Sequence, residues 1–389
     1  MISAAPRGQW EDDFPDLSEA GVASARARVR ALFDPSAGGS RQIVVFGSGV
    51  LGRRIVSSAR AAGLDVCATA DNDARRWYRL LDGIEVLAPA EAVERYGQSA
   101  VFVVAIYNPS AVVDQLDRLG CRRIATYPEF FWNFSEFVAG LTGLALPEFV
   151  LAHQGELRTA FELLDDPASR REYAAQVAWR CTLDDSIPDR PSPFTDMHFD
   201  RSVYPLSAHE RLLDCGAFDG DSLRAFMERT GGSFEHVDAL EPDPANRAAL
   251  EGFVAHLPAA ARAAITVHPH AASDRNGTVR FDAGFGVESL ANDTGAIEVS
   301  CRRLDDLIDS APTLIKMDIE GAEPQALRGA AALIREHRPV LAICAYHYCE
   351  HLWELPHLLH TLAPDFRIVL RRYAEQCWET VYYAVPRER

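Results

Sequence analysis

Twice along the chain a short apolar run stops at a glycine-bearing turn and gives way to a helical period. The first instance is Gln42-Ile43-Val44-Val45-Phe46, followed by Gly47-Ser48-Gly49-Val50-Leu51-Gly52 and a helical run to about Ala62. A second strand is expected near Asp65–Ala70, ending at Asp71-Asn72-Asp73. A third spans Ala100–Ile106, with Asn108-Pro109 and a helix through Leu119 behind it. Strand and helix alternate over 42–130, which predicts a parallel, doubly wound sheet. The rhythm restarts at Arg211, with strands expected at 211–215, 236–240, 265–269, 313–318, 339–345, 365–370 and 380–385. The last two lie close together, so an antiparallel pair is expected after five parallel strands. Between the two modules, Leu157–Leu164 and Arg170–Cys181 read as helices interrupted at Asp166-Pro167. A Pro-rich stretch follows, from Ile187-Pro188 to Ser192-Pro193.

This pattern divides the chain into 1–40, a polar, Ala- and Arg-rich stretch with a helix over Leu17–Phe33 starting near Ser18 and a Gly/Ser linker; 41–135, the first α/β domain; 136–200, a helical connector and hinge; and 201–389, the second α/β domain. Composition changes little in that picture. With 389 residues, 48% hydrophobic and 24% charged, the chain is of ordinary globular make-up. Its apolar runs fall far short of the roughly 18 residues that a membrane span needs, and Glu11, Asp12 and Asp13 do not suit a signal peptide. A net charge of −17 repels phosphate backbones, so no nucleic-acid partner is expected. Eight cysteines without a CxxC pair indicate neither a disulfide framework nor a zinc ribbon, and a cytoplasmic location fits them best. One count stands out: Lys316 is the only lysine, against 38 arginines. Codon bias accounts for most of that ratio. A lysine that remains can mark a site where a planar guanidinium cannot replace a compact ammonium.

The strongest chemical signal is the turn after the strand at 211–215: Asp214-Cys215-Gly216-Ala217-Phe218-Asp219-Gly220-Asp221-Ser222. Its glycines allow close approach of backbone to a ligand. Glu241-Pro242-Asp243 ends the next strand, where a carboxylate can take both hydroxyls of a ribose. Asp214, Asp219 and Asp221 would repel a pyrophosphate but suit the amino group and sulfonium of S-adenosylmethionine. The bland alternative is a βα turn with solvated acids. The second signal is Lys316-Met317-Asp318-Ile319-Glu320-Gly321-Ala322-Glu323 at the carboxyl end of a strand, the edge where open α/β sheets bind ligands. By period two, Lys316, Asp318 and Glu320 share one side, with Lys316 expected to hold the carboxylates or a substrate oxygen; the bland alternative is a structural ion pair capping the following helix, for which Glu323 is well placed. The third is His347, after the strand at 339–345. It is placed to take a proton from a hydroxyl near neutral pH, and turnover would then fall below about pH 6. Asp318, Glu320 and His347 could alternatively hold a divalent cation. The positive charge of Lys316 favours a metal-free route.

Asp214–Ser222, Glu241-Pro242-Asp243, Ala272-Ser273-Asp274, Arg303–Leu307, Lys316–Glu323 and Tyr346-His347 together resemble the FkbM family of S-adenosylmethionine-dependent methyltransferases, over about residues 196–386. The resemblance implies a seven-stranded class I methyltransferase fold and O-methylation of a small-molecule hydroxyl acceptor, such as a sugar or secondary metabolite. It also implies that Asp214, Gly216 and Glu241 hold the cofactor and that Asp274 lies near its adenine. Met197-His198-Phe199-Asp200 is similar to an element before the first strand of longer members, whereas His351 and Arg372 depart from the family pattern. The first module looks similar to Rossmann-like N-terminal domains of sugar-modifying transferases. Gly47, Gly49 and Gly52 with Asp71 match a dinucleotide fingerprint, so the module is expected to bind a nucleotide or sugar nucleotide, or to serve as a scaffold. Two rival readings remain. One is a nicotinamide-dependent sugar-nucleotide oxidoreductase working through the first module, which the absence of a Tyr-x-x-x-Lys opposes. The other is a non-catalytic S-adenosylmethionine-binding protein, which the polar cluster around His347 opposes.

Overall fold

A computed structural model describes residues 14–138, 143–281 and 297–389; the start of the polar N-terminal stretch, 1–13, lies outside them. The described residues fold as two compact units. Unit 1 comprises Met1–Gln154, Ala174–Arg190 and Ala374–Trp378; unit 2 comprises Gly155–Tyr173, Pro191–Tyr373 and Glu379–Arg389.

Unit 1 is built on a six-stranded sheet of β1 (Gln42–Phe46), β2 (Asp65–Ala70), β3 (Leu80–Leu81), β4 (Ile84–Leu87), β5 (Val101–Val104) and β6 (Ile124–Thr126). Their order is β3-β4-β2-β1-β5-β6, parallel throughout except for the β3–β4 hairpin. The strand direction of growth reverses between β1 and β5, which marks the crevice where such sheets take ligands. Ile43–Phe46 and Val101–Val104 are buried, as expected of parallel strands covered on both faces. The helix Glu19–Phe33 begins where its sequence requires, with the Ser18 hydroxyl accepting from the Gly21 N–H.

Unit 2 carries a seven-stranded sheet. Its strands are β7 (Arg211–Cys215), β8 (His236–Leu240), β9 (Ile265–His268), β13 (Leu314–Met317), β14 (Val340–Cys344), β15 (Phe366–Arg372) and β16 (Thr380–Pro386). The order β15-β16-β14-β13-β7-β8-β9 places five parallel strands beside an antiparallel pair. A separate three-stranded sheet of β10 (Ala271–Ala272), β11 (Gly277–Phe281) and β12 (Ile297–Arg302) was not expected from the sequence. The helices of 155–173 brace β15 within this unit. Leu164 bridges Ile368, Leu370 N–H donates to Ser169 Oγ, and Arg371 and Arg372 pair with Asp166 and Glu172. No helix among the described residues is long and apolar enough to cross a membrane.

Candidate functional site

The carboxyl ends of β7, β8, β13 and β14 converge on one edge of unit 2. The β7 turn comes first. Gly216 adopts φ +80°, and a Cβ there would stand 1.9 Å from the Asp318 carbonyl oxygen, so only glycine fits. Gly216 and Ala217 N–H donate to Leu240 O, at 3.1 and 3.0 Å, which ties the turn to the end of β8. Glu241 is buried there. Its carboxylate accepts from Phe218 N–H at 2.9 Å and from Asp243 N–H at 2.8 Å. Burial outweighs those bonds and pushes its pKa up to about 7. Asp214 is fully buried and accepts from Ser222 Oγ. Asp219 pairs with Arg224, and Asp221 opens the helix Asp221–Arg229. The structure thus brings Asp214–Ser222, Glu241 and Pro242 together. Asp274 stands apart from them in sequence on an exposed loop after β10.

Lys316 is not at the open edge. The parallel register sets it directly opposite Asp214. Its Nζ lies 3.1 Å from Asp214 Oδ1 and donates to Gly216 O at 2.6 Å. Burial alone would lower its pKa, but Asp214 and then Asp318 outweigh burial and raise it. The lysine is therefore a buried support beneath the β7 turn, which corrects its expected role of holding substrate or the edge carboxylates. Period two also ends early. β13 stops at Met317, and Glu320 takes a left-handed φ of +55°. It reaches the edge through a turn and not along a strand.

At that edge, His347 sits among carboxylates. Its Nε2 is 3.3 Å from Asp318 Oδ1 and 3.6 Å from Glu320 Oε2, and its Nδ1 is 3.0 Å from Glu323 Oε1. Burial opposes a charged imidazole, but Glu323, Glu320 and Asp318 outweigh it and push the pKa up to about 10. That direction departs from the expected near-neutral titration, because the surrounding carboxylates favour the charged ring. Burial would raise the Asp318 carboxyl, yet Lys316, His347 and His198 hold it below the usual range. His198 stands 3.8 Å from Asp318 Oδ2, and burial, then Lys316, depress its pKa to about 3, so it is neutral.

Sequence reasoning missed Glu379. Extending the antiparallel register of β14 and β16, in which Cys344 faces Val381, sets Glu379 against Tyr346. The Tyr346 hydroxyl donates to Asp318 Oδ1 at 3.0 Å and is within hydrogen-bond reach of Glu379. Burial, then the charge of Asp318, push the Glu379 pKa up to about 7. Only the strand pairing reveals this residue, because it lies 32 positions from His347 with no motif around it.

Residues 214–371 match the model of the Methyltransferase FkbM domain. That stretch of the chain resembles an FkbM methyltransferase domain. Among solved structures, it is similar to Methyltransferase FkbM from Methylobacillus flagellatus KT, at 24% identity and a TM-score of 0.75, covering 94% of this chain and 98% of that one. That likeness shows a shared fold. Partial likenesses extend to a putative rRNA-methylase from Clostridium thermocellum (11% identity, 48% of this chain, 93% of that one, TM-score 0.32). They also extend to an SAH-bound methyltransferase from Podospora anserina (11%, 61% and 87%, TM-score 0.29). No curated protein matches the chain.

Outside the FkbM-like stretch, unit 1 has its own turn after β1. A Cβ on Gly52 would stand 1.8 Å from Gly47 O, so the helix Val50–Ala61 packs against the turn only with glycine there. Gly49 caps that helix with open space around it. Asp71, at the end of β2, accepts from Ser48 N–H at 2.9 Å and from Ser48 Oγ, with Arg76 at 3.5 Å. The four residues expected to form a nucleotide site are thus brought to one turn.

Proposed function

We propose that unit 2 is an S-adenosylmethionine-dependent O-methyltransferase acting on a hydroxyl of a sugar or secondary metabolite. The observation that carries this reading is Glu241. Two backbone N–H groups hold its carboxylate at the tip of β8, one of them from the β7 turn. Each oxygen keeps a lone pair for a ribose hydroxyl. Asp214, Gly216, Ala217, Phe218, Asp219, Gly220, Asp221, Ser222 and Pro242 shape the rest of the cofactor site, with Asp274 toward the adenine. The FkbM domain match supports methyl transfer.

S-adenosylmethionine held by these residues would supply an electrophilic methyl group to the acceptor oxygen, with S-adenosylhomocysteine as the product. The protein orients the pair and removes one proton. His347, with Nε2 3.3 Å from Asp318 and 3.6 Å from Glu320, positions those two carboxylates. Glu379, with a pKa near 7, is matched to receiving the hydroxyl proton, with Tyr346 between it and Asp318. Calorimetry with S-adenosylhomocysteine tests the cofactor assignment. Glu241→Ala is expected to weaken binding by about 1.5–3 kcal/mol, as for charged hydrogen bonds. Unchanged affinity would remove Glu241, and with it this reading.

A further inference from the structure

We propose that His347 Nε2, Asp318 and Glu320 form a divalent-cation site, with Glu323 holding the imidazole from behind. The use of that ion by an acceptor hydroxyl rests on the methyltransferase reading; the site itself does not.

His347 is buried, and its Nε2 has no hydrogen-bond partner although Asp318 and Glu320 stand only 3.3 and 3.6 Å away. Those spacings are close to what ligands show around a shared ion. Two ligands each about 2.1 Å from an ion, at right angles, lie about 3 Å apart. On the other side of the ring, Nδ1 lies 3.0 Å from Glu323 Oε1. A carboxylate behind a histidine is the arrangement that fixes the ring and its tautomer at metal sites; the ion takes the place of the extra proton that Nε2 holds in its absence, and binding releases that proton. Asp318, Glu323 and His347 each bring a potential ligand atom within 4.8 Å of the others. Their chain positions explain the grouping: Asp318, Glu320 and Glu323 follow β13, and His347 follows β14, the neighbouring strand.

The Asp318 and Glu320 side chains are 23% and 26% exposed. An ion there keeps open positions toward solvent, where a hydroxyl can coordinate. The sequence favours a metal-free route on two grounds, a ligand set smaller than a metal site usually has and the charge of Lys316. In the structure that ammonium is engaged by Asp214 and the Gly216 carbonyl. Two hard oxygens and one imidazole suit Mn²⁺, and Mg²⁺ less well.

The test is titration of the full chain, stripped with a chelator, with Mn²⁺ alone, read by the electron paramagnetic resonance of free Mn²⁺. One saturable site per chain is expected. Asp318→Asn and Glu320→Gln should each weaken it at least about tenfold, and Glu323→Gln by about 10–100-fold. Glu320 is partly exposed, so its variant should fold, and retained S-adenosylhomocysteine binding by the variants would show that they do. No saturable binding to the unaltered chain overturns the site. So does binding that Asp318→Asn and Glu320→Gln leave unchanged. Mn²⁺ binding without any S-adenosylhomocysteine binding would leave the cation site standing and sink the methyltransferase reading.

Discussion

At the scale of single residues, the chain's one lysine shows how far an unusual count can be taken. Arithmetic singles out Lys316, but its partner is set by a strand pairing a hundred residues apart, Lys316 opposite Asp214. Removing the ammonium leaves Asp214 buried and uncompensated. Lys316→Met is therefore expected to destabilise the fold by about 3–5 kcal/mol in urea unfolding. Glu241 carries a pH signature. Its folded pKa is raised to about 7 from 4.5, so without ligand it gains a proton as pH falls through 7. Ribose hydroxyls need the carboxylate as acceptor. Affinity for S-adenosylhomocysteine should be level above about pH 8 and fall toward tenfold per pH unit below about 7. Glu241→Gln should flatten that profile; a slope that persists in the variant would assign the proton to another group.

Elements that bury both faces were legible because their apolar runs are continuous. β13 and β14 have no exposed residue, and their positions match the expected strands to within a residue at each end. The β7 turn was legible because its glycines and acids are contiguous. The sheet of β10, β11 and β12 was not: β12 does alternate, Ile297-Glu298-Val299-Ser300-Cys301-Arg302, but these short, partly buried strands stand outside the strand–helix rhythm that reveals the others. Glu379 was hidden for another reason: its neighbour is chosen by antiparallel register, which no local pattern encodes. The helices of 155–173 read as connector, yet they pack on β15 in unit 2. A chain beginning at residue 194 lacks that cover and exposes the β15 edge. It is expected to aggregate or to melt well below the full chain in a thermal scan. A soluble product of unaltered melting temperature would show the bracing to be dispensable.

At the scale of the whole molecule, the two units are threaded and not simply strung in series. The chain passes between them at 154/155, 173/174, 190/191, 373/374 and 378/379. Unfolding either unit tugs on several segments of the other. Scanning calorimetry is therefore expected to show one cooperative transition, with calorimetric and van't Hoff enthalpies in agreement, where beads on a string would give two. The same threading bears on how such a gene can change. The unit with the FkbM-like stretch is encoded in three separate stretches, interleaved with those of its companion. No single pair of breakpoints excises it whole, so recombination that shuffles simpler modules as cassettes would here cut through both units at once.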